Sequence, residues 1–168
     1  TTGWMVWNTL MWGPLMNGQA VLYDGNPAFP DASLLFEIAD KTGATMFGAN
    51  PTFAQIARQQ GIVPKALFDF EKLQTIMLVG SPATPEAFDW VYKQVKDDVW
   101  VSSQSGGTEF CSGLVAGAPT LPVLAGVIQA PALGVDVCAF DENGEPVIDA
   151  VGELVVRQPM PSMPLFFW

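Results

Sequence analysis

Histidine is absent from the sequence, and basic residues are few. Lysine and arginine together number 7, against 17 aspartate and glutamate residues, which gives a net charge of -10. Because histidine is the usual general base near neutral pH, its absence argues against Ser-His or Cys-His nucleophilic catalysis and against histidine-ligated zinc. The acidic balance, without any basic cluster, argues against nucleic acid as a partner.

Cysteine is also scarce. Cys111 and Cys138 match no metal-binding or redox spacing. We expect both to be buried thiols of a cytoplasmic protein, with one disulfide as the alternative.

Charged residues make up only 14% of the sequence, against 49% hydrophobic residues, and the mean hydropathy is +0.28. This composition is apolar for a free-standing domain, so we expect further protein to cover part of the surface. The chain also begins without methionine and ends in three large apolar residues. We therefore expect an internal fragment of a larger protein.

The first 23 residues carry no charge, which raises the question of a membrane span. Asn8, Gly13-Pro14, Asn17 and Gln19 argue against one, because polar and helix-breaking residues are costly in lipid. We expect no membrane association, and a helix buried in protein instead.

Strand-like and helix-like segments alternate along the first 110 residues. Residues 19–23 have the pattern of a short buried strand, and Asp31 fits the cap of a helix that runs to about Lys41 and stops at Gly43. The apolar face of this helix is predicted to comprise Leu34, Leu35 and Ile38.

The alternation continues with strand patterns within residues 44–49, 73–80 and 99–103. Helices are predicted between them, beginning at Pro51, with Asn50 as cap, and at Pro85. Strands that alternate with helices predict an α/β fold with a largely parallel sheet flanked by helices. Ligand sites are then expected at the carboxyl ends of the strands.

Beyond Phe110 the pattern changes to a Gly/Pro-rich segment, a hairpin around residues 142–144 and a last strand within residues 152–158. We therefore predict one unit over residues 1–168, with an α/β subdomain at 1–110 and a β-rich extension at 111–168. The length suits one domain with a sizeable core.

Two of the predicted strands end in residues that suit anion binding. Gly80-Ser81-Pro82 follows one strand, and residues 103–109 (SQSGGTE) follow another. Glycines let backbone N–H groups approach a phosphate, hydroxyls donate to it, and a carboxylate holds a metal ion. The same residues also fit plain turns, with Thr108 or Thr84 capping a helix, and spacing alone favours that interpretation.

Several ordered motifs resemble the adenylate-forming superfamily of acyl-CoA synthetases, luciferases and peptide-synthetase adenylation domains. Within that superfamily the chain is most similar to the acetoacetyl-CoA synthetases. The resemblance covers the chain from end to end and is carried by TTGWMVWN, GPLMNGQAVLYDGNPAFPD, LVGSPATPEAFDWVY, SGGTEFCSGLVAGAPTLPV, ALGVDVCAFDENGEPV and VGELVVRQPMPSMPLFFW.

The resemblance implies an ATP site. Thr108 would hydrogen-bond the nucleotide phosphate, and Glu109 would bind the magnesium that bridges the phosphates of ATP; these two are the expected catalytic residues. The expected nucleotide-binding residues are Gly80, Ser81, Pro82, Gln104, Ser105, Gly106, Gly107 and Thr108. Ser105 departs from the family pattern, which has an aromatic residue that stacks on adenine.

The resemblance also implies an acyl pocket. At the position of Gly106 the related acetyl-CoA synthetases have a tryptophan that closes the pocket, so glycine is expected to leave room for a longer acid. The expected substrate-contacting residues are Trp4, Met5, Val6, Val79 and Gly106. For Trp4 and Met5, packing in the core is an equally good explanation.

The implied reaction joins acetoacetate to coenzyme A through an acyl-adenylate, with ATP and magnesium. The phosphate loop would lie before Thr1, and the ribose-binding aspartate and a catalytic lysine would lie after Trp168. We therefore expect the chain alone to be inactive. The alternatives are a ligase for another short or medium-chain acid, and a non-catalytic nucleotide-binding or structural domain.

Overall fold

The computed structural model describes residues 4–166. The ends of the predicted unit, residues 1–3 and 167–168, lie outside the described residues. In chain order the elements are α1 (Met5–Leu15), α2 (Leu34–Thr42), β1 (Met46–Ala49), α3 (Pro51–Gln59), β2 (Thr75–Leu78), α4 (Pro85–Trp90), β3 (Trp100–Ser103), β4 (Ser105–Gly107), β5 (Ser112–Ala116), β6 (Ala130–Pro131), β7 (Val137–Phe140), β8 (Pro146–Val147) and β9 (Glu153–Val156). A 3₁₀ turn (Pro64–Ala66) precedes β2, and a π turn (Val91–Val95) extends α4.

The first sheet is parallel, with strand order β1-β2-β3. It is flanked by helices and followed by two small antiparallel sheets, so the predicted α/β class is confirmed. The three strands end side by side, because Ala49 pairs with Leu78 and Leu78 pairs with Ser103. The loops that follow these strands therefore leave the sheet at one edge.

The core lies on one face of this sheet, where Phe47, Ile76 and Val101 share a register row. Side chains from α2, α3, α4 and the π turn pack on this row. Phe36 of α2 lies 5.2 Å from Phe47 and 6.0 Å from Trp90 between ring centroids. Burial of each large apolar side chain contributes about 1.5–3 kcal/mol. This cluster holds the sheet and its helices together.

Helix boundaries follow the predicted residues at Asn50 and Gly43, whereas α2 has Ser33 at its N-cap position instead of the predicted Asp31. The side chain of Asn50 caps α3, with its oxygen 2.8 Å from the Thr52 backbone nitrogen, and Pro51 is the first helical residue. Gly43 ends α2 in the left-handed conformation, with φ of 63°. Thr84 stands at the N-cap position of α4 but makes no capping hydrogen bond. Its hydroxyl instead hydrogen-bonds the Glu86 carboxylate, which lowers the pKa of that group.

The predictions for residues 19–23 and for the apolar face of α2 were wrong. Residues 19–23 form no strand, and Val21, Leu22 and Tyr23 are exposed, because no strand among the described residues pairs with them. In α2 the buried positions are Phe36 and Ala39 instead of Leu34, Leu35 and Ile38. The helix is turned so that the aromatic ring of Phe36 meets the sheet.

Helix α1 forms as predicted, but it is not buried. Met5 is its buried residue, while Met11, Trp12 and Leu15 are exposed. Its last turn contains Pro14. None of the helices within residues 4–166 has the length and apolar character needed to cross a membrane.

The chain after β3 is β-rich, as predicted. Strands β4, β5 and β6 form one antiparallel sheet, and β7 pairs with both β8 and β9 in another. The predicted hairpin turn is present. The Asp141 carboxylate accepts hydrogen bonds from the backbone nitrogens of Asn143 and Glu145, and the bond from Glu145 contributes most to lowering the pKa of Asp141.

The two cysteines are free thiols, so the disulfide alternative is excluded. Both are half-buried instead of fully buried. The predicted division of the chain at residue 110 stays a prediction. The parallel sheet ends at Ser103, and the next antiparallel strand begins at Ser105.

Candidate functional site

A cavity of about 540 Å³ opens at the edge of the sheet where the parallel strands end. Its volume lies in the range typical of small-molecule sites. Four segments line it together: the start of α1, the loop after β2, the segment that begins at the end of β3, and part of the Gly/Pro-rich segment. The lining residues are Trp4, Met5, Val6, Val79, Gly80, Ser81, Pro82, Ala83, Ser103, Gln104, Ser105, Gly106, Gly107, Thr108, Gly126 and Ile128.

All of the predicted site residues except Glu109 line this cavity. They come from parts of the sequence that are about a hundred positions apart, and the sheet brings them to one edge. Glu109 follows Thr108 directly, with an exposed carboxylate beside the cavity. None of the described residues that line the cavity is charged, so Glu109 supplies the adjacent negative charge.

The wall formed by Gly80 is tightly packed. Gly80 has φ of +98°, and a Cβ built there would lie 2.7 Å from the indole ring of Trp4 and 2.9 Å from Nδ2 of Asn50. Both the backbone conformation and the contacts therefore require glycine. The ring of Trp4 thus lies against the backbone of this wall, and Trp4 remains 41% exposed.

The segment of Thr108 and Glu109 is the tip of a β-hairpin, where β4 turns into β5. The turn is closed by hydrogen bonds from the Phe110 nitrogen to the Gly107 oxygen, at 3.3 Å, and from the Cys111 nitrogen to the Thr108 oxygen, at 3.1 Å. No helix follows, so the alternative in which Thr108 caps a helix is wrong. Asn8 of α1 donates to the Cys111 sulfur at 3.2 Å, which connects the first helix to this turn.

Gly106 does not leave the open space that we expected. A Cβ at this position would lie 2.2 Å from the Ser112 carbonyl oxygen and 2.7 Å from the Cα of Gly113. The backbone of β5 occupies the room that a side chain would need. Gly106 therefore borders the cavity with its backbone, and the close approach of two strands is the physical reason for glycine here.

Sequence reasoning missed Ala83, Gly126 and Ile128 as lining residues. Gly126 and Ile128 belong to the Gly/Pro-rich segment, which carries no periodic pattern that would locate it. Gly126 has φ of +80°, and its backbone lies against the ring of Pro85 at the start of α4. The segment therefore folds back over the loop that follows β2.

Gln129 anchors this segment. Its side-chain oxygen accepts from the Ala118 nitrogen at 3.0 Å and from the Trp100 indole at 3.4 Å. Its nitrogen donates to the carbonyl oxygens of Ala118, Leu121 and Pro122. One side chain thus ties the ends of the segment together and to strand β3.

The cavity offers two chemical environments. Met5, Val6, Val79 and Ile128 provide apolar surface, while the glycines and Ser81 provide backbone amides and Ser105 and Thr108 provide hydroxyls. The first environment suits an apolar or aromatic group, and the second suits anionic oxygens, because amides and hydroxyls donate hydrogen bonds to them. Such a site binds and orients a ligand, and it contains no histidine to act as a base.

Comparison with known proteins matches residues 3–164 to the family of AMP-binding enzymes. The chain is 40% identical over 168 residues to an acetoacetyl-coenzyme A synthetase of Rhizobium meliloti, of which it covers 26%. It is 36% identical over 168 residues to an acetoacetyl-CoA synthetase of Xenopus tropicalis, of which it covers 25%. The chain spans about a quarter of the length of these curated relatives.

The chain is also similar to solved structures of CoA ligases. An acetoacetyl-CoA synthetase from Streptomyces lividans superposes with a TM-score of 0.91 at 44% identity, covering 99% of this chain and 26% of that one. An anthranilate CoA ligase, solved with anthranoyl-AMP, superposes with a TM-score of 0.72 at 18% identity over 83% of this chain. The second likeness shows the fold alone.

Proposed function

The chain belongs to the family of AMP-binding enzymes, and we propose that the complete protein joins acetoacetate to coenzyme A, using ATP. The relatives and the solved structure described above that share at least a third of its residues are named as acetoacetyl-CoA synthetases. The observation that supports the proposal most is that residues 80–82, residues 104–108 and the start of α1 line one cavity.

The proposed reaction has two steps. In the first, the carboxylate of acetoacetate attacks the α-phosphorus of ATP, pyrophosphate leaves, and an acyl-adenylate forms. In the second, the sulfur of coenzyme A attacks the acyl carbon, and AMP leaves with the bonding electron pair. A carboxylate is already a nucleophile, so the first step needs alignment and charge stabilisation instead of a histidine base.

In this proposal the nucleotide lies along residues 80–82 and Gln104 to Thr108. The Thr108 hydroxyl donates a hydrogen bond to a phosphate oxygen, because it stands at the tip of the hairpin beside the cavity. Ser105 leaves adenine without an aromatic partner in this segment. The backbone wall at Gly80 therefore takes a larger part in holding the base.

The acyl group lies against the apolar part of the cavity. Trp4, Met5, Val6 and Val79 were predicted for this role, and Ile128 lines the same cavity. With Gly106 contributing backbone alone, the size of the acyl pocket depends on these side chains.

Glu109 suits a magnesium ion that is shared with ATP. Its carboxylate is exposed, and it forms no ion pair within residues 4–166. The described residues contain no cluster of three metal-ligating side chains. One carboxylate fits magnesium, which keeps several waters and commonly binds one or two carboxylates together with substrate phosphates. When bound, the ion would neutralise phosphate charge.

We further propose that the phosphate loop, the ribose-binding aspartate and the catalytic lysine lie elsewhere in the complete protein, and that the protein acts in the cytoplasm. The two free thiols support a reducing compartment. The 168-residue chain by itself then supports no adenylation and provides the negative control for activity assays.

The proposal is tested by ATP–pyrophosphate exchange with the complete protein, comparing acetoacetate with acetate, butyrate and benzoate. We expect the highest kcat/KM with acetoacetate. A clear preference for another acid would identify a different acyl-CoA ligase, while absence of exchange with every acid would favour a non-catalytic domain.

A substitution tests the metal role. Glu109→Gln in the complete protein removes the charge but keeps the shape, and we expect the exchange rate to fall on the order of 100-fold. Glu142→Gln, in the exposed hairpin turn, is the matched control and should leave the rate unchanged. Equal rates for Glu109→Gln and the unchanged protein would exclude Glu109 as the metal ligand.

A further inference from the structure

We propose that Asn50, which does not line the cavity, is a positioning residue that holds the Gly80–Pro82 wall in place for the nucleotide. The inference rests on the proposed function, because it assigns this wall to ATP. Asn50 was predicted from the sequence as a helix cap alone. Its contacts across the sheet edge give it a second role.

Asn50 stands where β1 ends and α3 begins. Its side-chain oxygen accepts two hydrogen bonds, one from the Thr52 nitrogen at 2.8 Å and one from the Ser81 hydroxyl at 2.8 Å. The first bond caps the helix. The second reaches the neighbouring loop, 31 positions away in the sequence. One oxygen therefore joins the beginning of α3 to the wall of the cavity.

The amide nitrogen of Asn50 lies on the same wall. It would be 2.9 Å from a Cβ at Gly80, and the indole ring of Trp4 would be 2.7 Å from that Cβ. Gly80 is thus held between the asparagine amide and the tryptophan ring. Just before it, the Val79 nitrogen donates to the Ala49 oxygen at 3.2 Å, so backbone pairing continues up to this point.

These contacts leave the wall little freedom. Loops that follow parallel strands are otherwise free to move, because the ladder of hydrogen bonds ends with the strand. Here the side chain of Asn50 continues the connection from Val79 to Ser81, two residues further. Because the Ser81 hydroxyl is bonded to Asn50, the wall offers its backbone to a ligand, and the contacts behind it set the position of that backbone.

The consequence is specific to nucleotide binding. Loss of the bond to Ser81 would let the wall move away and would weaken binding of ATP, whereas the chemistry at the α-phosphorus takes place elsewhere in the cavity. We therefore expect an increase in the KM for ATP with little change in kcat and in the KM for the acid.

The test uses the complete protein with Asn50→Ser, Ser81→Ala and the double substitution. Serine retains the helix cap but is too short to reach Ser81, and Ser81→Ala removes the other partner of the same bond. We expect each single substitution to raise the KM for ATP about 5- to 10-fold, and the double substitution to raise it no further. Ser33→Ala, at a helix start where the hydroxyl makes no capping bond, is the control.

Melting temperatures separate positioning from a purely structural role. Asn50→Ser loses one hydrogen bond and should lower the melting temperature only slightly, so a lower melting temperature with an unchanged KM for ATP would overturn the proposal. The proposal would also be overturned if the double substitution raised the KM for ATP by the product of the two single effects, because the two side chains would then act independently.

If the unchanged protein forms no acyl-adenylate, the proposed function fails by itself. Non-additive melting shifts would then still support the contact between Asn50 and Ser81, and additive shifts would refute it.

Discussion

The parallel-sheet region, residues 32–103, and the β-rich region after it differ sharply in burial. In the first, aromatic and branched side chains form a continuous core that includes Phe36, Phe88 and Val101. In the second, the buried hydrophobic residues among those described are Leu114 and Met160. Leu133 and Val151 there are each 102% exposed. The first region can stabilise itself, and the second depends on contacts beyond its own strands.

Element length explains the difference. The helices of the first region are 6 to 9 residues long, and their apolar faces cover one side of a sheet. The strands of the second region are 2 to 5 residues long, and Gly/Pro-rich segments separate them. Such short strands bury little surface. The apolar excess seen in the composition is therefore mostly on this region and on α1.

The largest effect on stability is expected when Phe88→Ala is compared with Leu133→Ala in the full chain. Phe88 is 1% exposed at the centre of the core, and truncation should cost about 3–5 kcal/mol of unfolding free energy. Leu133→Ala should change it by less than about 0.5 kcal/mol. Urea denaturation measures both. Equal costs would show that the second region has a core of its own.

A smaller effect is expected at the hairpin that joins the two regions. Gly106→Ala places a Cβ 2.2 Å from the Ser112 oxygen, so the strands must separate, at a cost of about 1–3 kcal/mol. Its register partner Gly113 is the matched control. A Cβ there would lie 3.3 Å from the flexible end of Gln104 and at an ordinary contact distance of 3.9 Å from the Ser105 carbonyl oxygen. Melting temperatures should fall clearly for Gly106→Ala and less for Gly113→Ala; the reverse order would contradict the close approach of the strands.

The smallest expected effect concerns the anchor between β3 and the Gly/Pro-rich segment. Gln129→Ala removes its hydrogen bonds to the segment and to Trp100, and we expect a loss of about 1 kcal/mol. Hydrogen exchange of the amides in residues 118–127 should become faster, while that of strands β1 to β3 stays unchanged. Gln59→Ala, at an exposed position of α3, is the control. Unchanged exchange in the segment would show that other contacts hold it.

Much of the first region could be predicted because local chemistry decides it. Asn50-Pro51 begins a helix, Gly43 ends one, and the spacing of Phe88, Val91 and Val95 matches the buried side of α4 and its π turn. The wrong predictions have a different cause. Residues 19–23 need a partner strand, and the rotation of α2 depends on which ring fits against Phe47. Neither can be deduced from one segment alone.

In the candidate site, too, some residues could be predicted from local sequence and others depend on contacts between distant segments. The two loops after β2 and β3 could be selected from their glycine, hydroxyl and carboxylate residues. Ile128 and Gly126 could not, because they reach the cavity through a segment without periodicity, held by Gln129. The hydrogen bond between Asn50 and Ser81 could not be predicted either, since the two residues lie 31 positions apart.

By itself, the sequence determined which segments become helices and strands of the parallel sheet, because capping residues and apolar spacing act within a few neighbouring positions. It also determined which residue types this chain offers to a nucleotide, and that histidine is not among them. The tertiary structure alone decided that Gly106 faces a strand instead of open space, that Asn50 supports the wall at Gly80, and which α2 residues are buried. Those outcomes depend on distances between segments far apart in the chain, and packing of the whole domain sets these distances.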